Sequence, residues 1–150
     1  MKLKVPPALT LLIFGISMYV LDRFLPVGEF DFFGRRAMTF AMFVMGFLIL
    51  MIAIVQFLRS KTTVDPMHPE KTSQLVTSGI FNYSRNPMYL GMLMFLIGWG
   101  LYLGNAFNTI IAAGFVYFMN HFQILPEEQA LREKYGKVYQ LYCKAVRRWF

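Results

Sequence analysis

Residues Ala37–Leu58 read AMTFAMFVMGFLILMIAIVQFL, an apolar run without a single charge, in which Gln56 is the most polar member. A helix that spans a bilayer needs about 20 mostly apolar residues, with a range of about 17–25. This run meets that requirement by itself. Val5–Leu21 is a second uncharged run, and Met88–Leu103 and Ala106–Leu125 follow as a third and fourth, parted by Gly104-Asn105. The first is adequate in length, the fourth ample and the third short. None alternates polar and apolar residues as the strands of a membrane barrel do. The expected fold class is therefore all-α integral membrane, with about four transmembrane helices and a cytoplasmic amphipathic C-terminal helical segment. One membrane domain covers residues 1–150, with a two-helix part to residue 60 and the remainder from residue 61.

Composition points the same way. The chain is 57% hydrophobic, 17% aromatic and 15% charged, well under the roughly 25% charge of a soluble domain. Val5–Leu21 is longer than the apolar core of a cleavable signal, lacks a clear small-x-small site and ends in Asp22-Arg23, so it reads as an anchor. Twelve Lys and Arg fall before the first run, between the second and third, or in the tail, against Arg23, Arg35 and Arg36 on the other side. That bias marks the cytoplasmic face and places both termini there. The net charge of +7 then reflects topology and attraction to anionic membrane lipid rather than nucleic acid.

Chemistry concentrates in three places. Arg85-Asn86-Pro87-Met88-Tyr89-Leu90-Gly91 sets a cation, an amide and a phenol directly before an apolar run. Pro87 suits a first helical turn and pushes Asn86 towards an extended backbone. Taken alone, the stretch could equally be a helix start with interfacial Arg and Tyr. Upstream, Ser73-Gln74-Leu75-Val76-Thr77-Ser78-Gly79-Ile80-Phe81 offers small, hydroxylated residues. Downstream, Asn120, His121, Gln123 and the doubled acid Glu127-Glu128 close the fourth run. One acid there suits a helix N-terminus; the second has no structural reason in sequence.

His68 reads as an ordinary loop histidine and Cys143 as an incidental thiol, and no metal site is expected. No carboxylate lies deep in a span, which argues against proton-coupled transport. Gly91 and Gly98 share a helix face, and Gly100 and Gly104 form a small-xxx-small pair, suiting either close helix approach or room for a flat ligand. In the tail, Leu131, Tyr135, Val138, Tyr142, Ala145 and Trp149 recur at helical spacing, with a break or cap at Gly136.

Three blocks support a resemblance. Leu75–Phe81, Arg85–Gly91 and the Glu127-Glu128-x-x-Leu131-x-x-x-Tyr135-Gly136-x-x-Tyr139-x-x-Tyr142-x-x-x-Val146-x-Arg148 pattern resemble the isoprenylcysteine carboxyl methyltransferase family. Its small bacterial members are the nearer likeness. The resemblance covers roughly Leu75–Trp149, and the two N-terminal runs match in hydrophobicity only.

It implies S-adenosylmethionine as methyl donor, at the cytoplasmic face of a bacterial inner membrane. By position, Ser73, Gln74, Leu75, Val76 and Phe81 would form one wall of the cofactor site. Asn86, Pro87, Met88 and Tyr89 would form the other, and Glu127 would accept from cofactor hydroxyl or amine groups. Arg85 is the candidate catalytic residue, orienting an anionic acceptor as a fixed guanidinium can. Gln123 and Arg85 would contact the substrate, a lipophilic small molecule or prenyl-thiol acceptor.

Two departures bear on that substrate. Asn86 stands where the better-known eukaryotic enzymes have His, and Gln123 where they carry a substrate-binding Arg. A neutral amide does not pair with a carboxylate as Arg does, so the resemblance carries the reaction class further than the acceptor. An NADPH-dependent membrane reductase of related architecture and a non-enzymatic transporter subunit or scaffold remain as alternatives.

Overall fold

A computed structural model describes residues 5–25, 27–60 and 75–150. Six α-helices organise them: α1 (Pro7–Phe24), α2 (Arg35–Arg59), α3 (Pro87–Leu103), α4 (Asn108–Phe118), α5 (Leu125–Tyr135) and α6 (Lys137–Ala145). A 3-10 turn at Gly79–Asn82 precedes α3, and a π-helical turn at Met119–Ile124 joins α4 to α5. Of the described helices, α1 and α2, at 18 and 25 residues, are long and apolar enough to cross a membrane; α3, at 17, is shorter. Both long helices are inside out by the standards of a soluble protein. Their buried residues include Thr10, Thr39, Gly46 and Ala53, whereas Leu12, Ile13, Phe40 and Phe47 are exposed. Water would not tolerate so broad an apolar surface; lipid does.

The tightest packing is α2 against α3. Thr39, Gly46 and Ala53 on α2, spaced seven apart, are the buried positions of that helix, and α3 answers with buried Gly91 and Gly98. A Cβ added at Gly91 would stand 2.9 Å from the Gly46 carbonyl oxygen, and one at Gly46 equally close to the Gly91 carbonyl. A Cβ at Gly98 would meet Met42 and Phe43 at 3.2–3.4 Å. The small-residue face therefore serves helix approach, as interfaces within a membrane favour, and leaves no gap there for a flat ligand. Gly104 lies against Arg35 at the start of α2, where a Cβ would collide with the guanidinium. It ends α3 in the left-handed region at φ 78°, where glycine carries no Cβ penalty.

The second packing layer sets α1 and α4 against α3. Met18, Leu96, Phe115, Met119 and Ile124 form its buried centre, joined by Tyr89. The Phe14 ring meets that of Phe115 edge-on at 5.5 Å, and Trp99 Nε1 donates to the Gly15 carbonyl at 3.0 Å. At the end away from the tail, Glu29 and Asn105 form an isolated antiparallel bridge. There buried Asn105 donates through Nδ2 to the Leu25 carbonyl.

Local chemistry explains the helix ends. Proline is tolerated in a first turn because its missing N–H is unpaired there anyway. So α3 starts at Pro87, with Asn86 at φ −131°. Pro126 lies where α4 would otherwise run straight on. Its ring would crowd the carbonyl four residues back, and the π turn immediately upstream shifts the register past it. Gly136, at φ 53°, breaks α5 from α6. Of the face expected from Val138, Tyr142 and Ala145, Tyr142 packs and bonds to the Phe81 carbonyl, whereas Val138 and Ala145 are exposed. On α6, Tyr139 is buried and Tyr142 and Cys143 are half-buried, while Val138 and Leu141 are 63% and 66% exposed.

The α2–α3 seam makes a specific prediction. Gly91→Ala forces two backbones apart and lowers stability by about 1–3 kcal/mol, as overpacking does. Gly15→Ala, with nothing within 4 Å of the new Cβ, leaves it unchanged or higher. Denaturant unfolding of both variants in one detergent provides the comparison.

Candidate functional site

Three segments far apart in sequence converge where α3 begins and α5 begins. Tyr89, in the first turn of α3, donates its phenol to Glu127 Oε1 at 2.6 Å. Gln123, on the π turn, donates Nε2 to the same oxygen at 2.5 Å. Both donors fall on Oε1, so Oε2 has no partner among the described residues. Gln123 and Tyr89 are buried and Glu127 is half-buried. The carboxylate is thus aimed by two neutral donors, with one oxygen left to accept.

Glu128, one residue on, faces a different neighbourhood. It is 4% exposed. Arg148 grips it at two points, Nε to Oε1 and Nη2 to Oε2, both at 2.9 Å. Arg85 adds Nη1 to Oε1 at 3.2 Å and also donates Nη1 to Cys143 Sγ at 2.6 Å. The last residues of the chain are therefore part of the site. Arg85 N donates to the Arg147 carbonyl at 3.0 Å, and Asn86 Nδ2 to the Arg148 carbonyl at 3.0 Å. Trp149 Nε1 donates to Asn120 Oδ1 at 3.1 Å.

The expected site residues are distributed as follows. Tyr89, Glu127 and Gln123 form one hydrogen-bonded cluster. Asn86 lies beside it, its amide engaged by the tail, and Pro87 and Met88 start the same helix. Phe81 is buried on the 3-10 turn, packed on Phe57 at 5.6 Å between ring centres, and its carbonyl accepts from Tyr142 at 2.7 Å. Val76 is buried and Leu75 half-buried. Ser73, Gln74 and His68 lie outside the described residues. Asn120 and His121 do not share the acids' partners: Asn120 binds Trp149, and His121 is exposed, its ring tilted against that of Tyr117 at 4.1 Å between centres. The Arg85 side chain is 11% exposed and ion-paired with Glu128. Sequence reading missed the parts played by Arg148 and Glu128, although both stood in the quoted pattern. The surplus acid was the available signal.

Burial pushes the Glu127 carboxyl up to about 7, against the bonds from Tyr89 and Gln123 that pull it down; the charge of Glu128 adds to the rise. Glu127 lies past the end of the apolar run at Leu125.

Residues 34–138 match the family described as phospholipid methyltransferase. The match covers well over half of the chain, from α2 into α6, and holds both the Arg85–Gly91 corner and the paired acids. The chain belongs to that family. The resemblance read from the three blocks is borne out, and it extends into α2, where only hydrophobicity had been credited. An uncharacterised protein of Haemophilus influenzae is 42% identical over 62 residues, 41% of this chain and 98% of that one. A probable protein-S-isoprenylcysteine O-methyltransferase of Oryza sativa subsp. indica is 30% identical over 105 residues, 70% of this chain and 55% of that one. The chain thus spans about half the length of that relative. A mouse delta(14)-sterol reductase is 35% identical over 75 residues, 49% of this chain and 18% of that one. No solved structure matches the chain significantly.

The raised carboxyl has a stability consequence with a definite sign. Between about pH 4.5 and 7 the folded protein holds a proton that the unfolded chain has released, so this group lowers stability as pH rises through that window. Thermal midpoints measured from pH 5 to 8 fall less steeply in Glu127→Gln than in the wild type. Parallel curves would show that the carboxyl is not perturbed.

Proposed function

We propose that this family member is an S-adenosylmethionine-dependent methyltransferase. It works at the cytoplasmic face of the membrane on a lipophilic small molecule or a prenyl-thiol-type acceptor. In this reading α1, α2, α3 and α4 with its π turn are four spans, and both termini are cytoplasmic, following the Lys and Arg bias. The observation that carries the reading is the Glu127 carboxylate: fixed on one oxygen by Tyr89 and Gln123, without a partner on the other among the described residues, and lying within the family match.

The residues present fit the donor. A carboxylate oxygen accepts from hydroxyl or ammonium groups, and Tyr89 places an aromatic ring next to it, which suits a cation. When bound, the cofactor supplies a methyl group on a sulfonium. The chain's own contribution is to hold and align. Glu127 takes hydroxyl or ammonium donors, Tyr89 and Gln123 keep its carboxylate in one orientation, and Val76, Phe81 and Met88 supply apolar wall that limits water. Transfer between two held groups draws much of its rate from orientation, and a thiolate or carboxylate acceptor needs no separate base.

Isothermal titration of the purified protein with S-adenosylmethionine, S-adenosylhomocysteine and NADPH tests the reading. The two adenosyl compounds are expected to bind and NADPH to give no heat. NADPH alone would favour the reductase architecture of the sterol reductase relative; silence for all three would favour a scaffold. Within the leading reading, Glu127→Ala weakens adenosyl binding by about tenfold or more, the loss expected when a charged hydrogen-bond acceptor is removed. Unchanged affinity would dismiss Glu127 as the cofactor carboxylate.

A further inference from the structure

Among the described residues, the ion cluster beside the proposed cofactor site holds more cations than acids. Two guanidiniums, those of Arg85 and Arg148, converge on one carboxylate, Glu128. The neighbouring acid does not correct this, because Glu127 is turned towards Tyr89 and Gln123. A charge removed from water without a partner is costly, and here the surplus is positive.

The two cations are not equivalent. Arg85 sits at the back: its side chain is 11% exposed, its Nε is buried without a partner, and its backbone is tied to Arg147. Arg148 sits at the front, 32% exposed. Nε and Nη2 are spent on Glu128, which leaves Nη1 without a partner among the described residues and turns that end of the fork away from the ion pair. A guanidinium carries five donors in a rigid plane, so one group can grip Glu128 and still present donors elsewhere.

The backbone that carries Arg148 is also fixed. Chain ends are ordinarily poorly ordered unless tied down. Here Arg147, Arg148 and Trp149 are each hydrogen-bonded to another element, at Arg85, Asn86 and Asn120. Asn86 immediately precedes α3, which carries Tyr89, and Asn120 lies on the π turn that carries Gln123. The tail thus delivers one oriented guanidinium, with one end of its fork unspent, to the edge of that site.

We propose that Arg148 is the anion-recognition residue of this site and receives a carboxylate of the ligand, with Glu128 and Arg85 behind it as positioning groups. The proposal rests on the methyltransferase reading. It supplies from the C-terminal tail the cation that Gln123 does not provide. A planar fork matches a carboxylate at two points, and the chemistry has two sources: the amino-acid end of the methyl donor, or the free carboxylate of a prenylcysteine-type acceptor.

Two ligand pairs distinguish the sources on the full-length protein in detergent. The first is S-adenosylhomocysteine against its decarboxylated analogue; the second is N-acetyl-S-farnesylcysteine against its methyl ester. In the wild type one pair shows a carboxylate preference of roughly tenfold to hundredfold, the range of a charge-assisted contact. That preference collapses in Arg148→Gln and survives in part in Arg148→Lys, and the pair that shows it names the source. No preference in either pair would overturn the proposal, as would a preference undiminished in Arg148→Gln. If Arg148→Gln fails to fold, the wild-type comparison decides alone. Equal binding of both adenosyl compounds, with no preference in the farnesyl pair, overturns this proposal and leaves the methyltransferase reading standing. Binding of neither adenosyl compound overturns both.

Discussion

Glu128, shut away between Arg85 and Arg148, is the constraint on which the rest of the site depends. It joins three pieces of chain that share no regular secondary structure: the corner before α3, the first turn of α5 and the C-terminal tail. A buried carboxylate survives desolvation only when its oxygens are well paired, and here both are. Once Glu128 is held, the helical step of about 100° per residue turns Glu127 towards another face. The doubled acid divides between two neighbourhoods: Glu128 ties three segments together, and Glu127 turns to Tyr89 and Gln123, where the proposed function has it meet a ligand.

The membrane part of the molecule sets the frame for that corner. Because Gly46 and Gly91 let α2 and α3 approach at the level of their backbones, the start of α3 is fixed relative to the end of α2. Gln56 strengthens the link, donating Nε2 to the Ser78 carbonyl and accepting from Ile80 N. The 3-10 turn that carries Phe81 is therefore hung from α2 on one side and from Tyr142 on the other. Apolar side chains that a soluble protein would bury are left on the outside of α1 and α2, where a bilayer takes the place of a core.

Much of this was legible in the chain, and the parts that were not share a physical reason. Uncharged runs announce helices; Pro87 announces a start, Gly136 a break, and the seven-residue spacing of Gly91 and Gly98 a packed face. Each is a local property of backbone or periodicity. Arg148 meeting Glu128, Asn86 meeting the Arg148 carbonyl and Trp149 meeting Asn120 are long-range pairings, 20 to 62 residues apart, and spacing carries no information about them. On α6 the expected face is only partly the packed one: Tyr142 packs, while Val138 and Ala145 are exposed. Gly104 serves two ends at once, capping α3 and lying against Arg35. For Arg85, sequence showed a cation beside the site but not that Glu128 would claim it.

The central claim is that the adjacent acids do different jobs, and one measurement separates them: thermal midpoints of Glu127→Gln and Glu128→Gln with and without S-adenosylhomocysteine. Glu128→Gln is expected to unfold at a lower temperature than the wild type and still to be raised by the ligand. Glu127→Gln keeps a midpoint at or above that of the wild type and gains nothing from it. The reverse assortment, with Glu127→Gln fully stabilised by the ligand and Glu128→Gln as stable as the wild type, would contradict it.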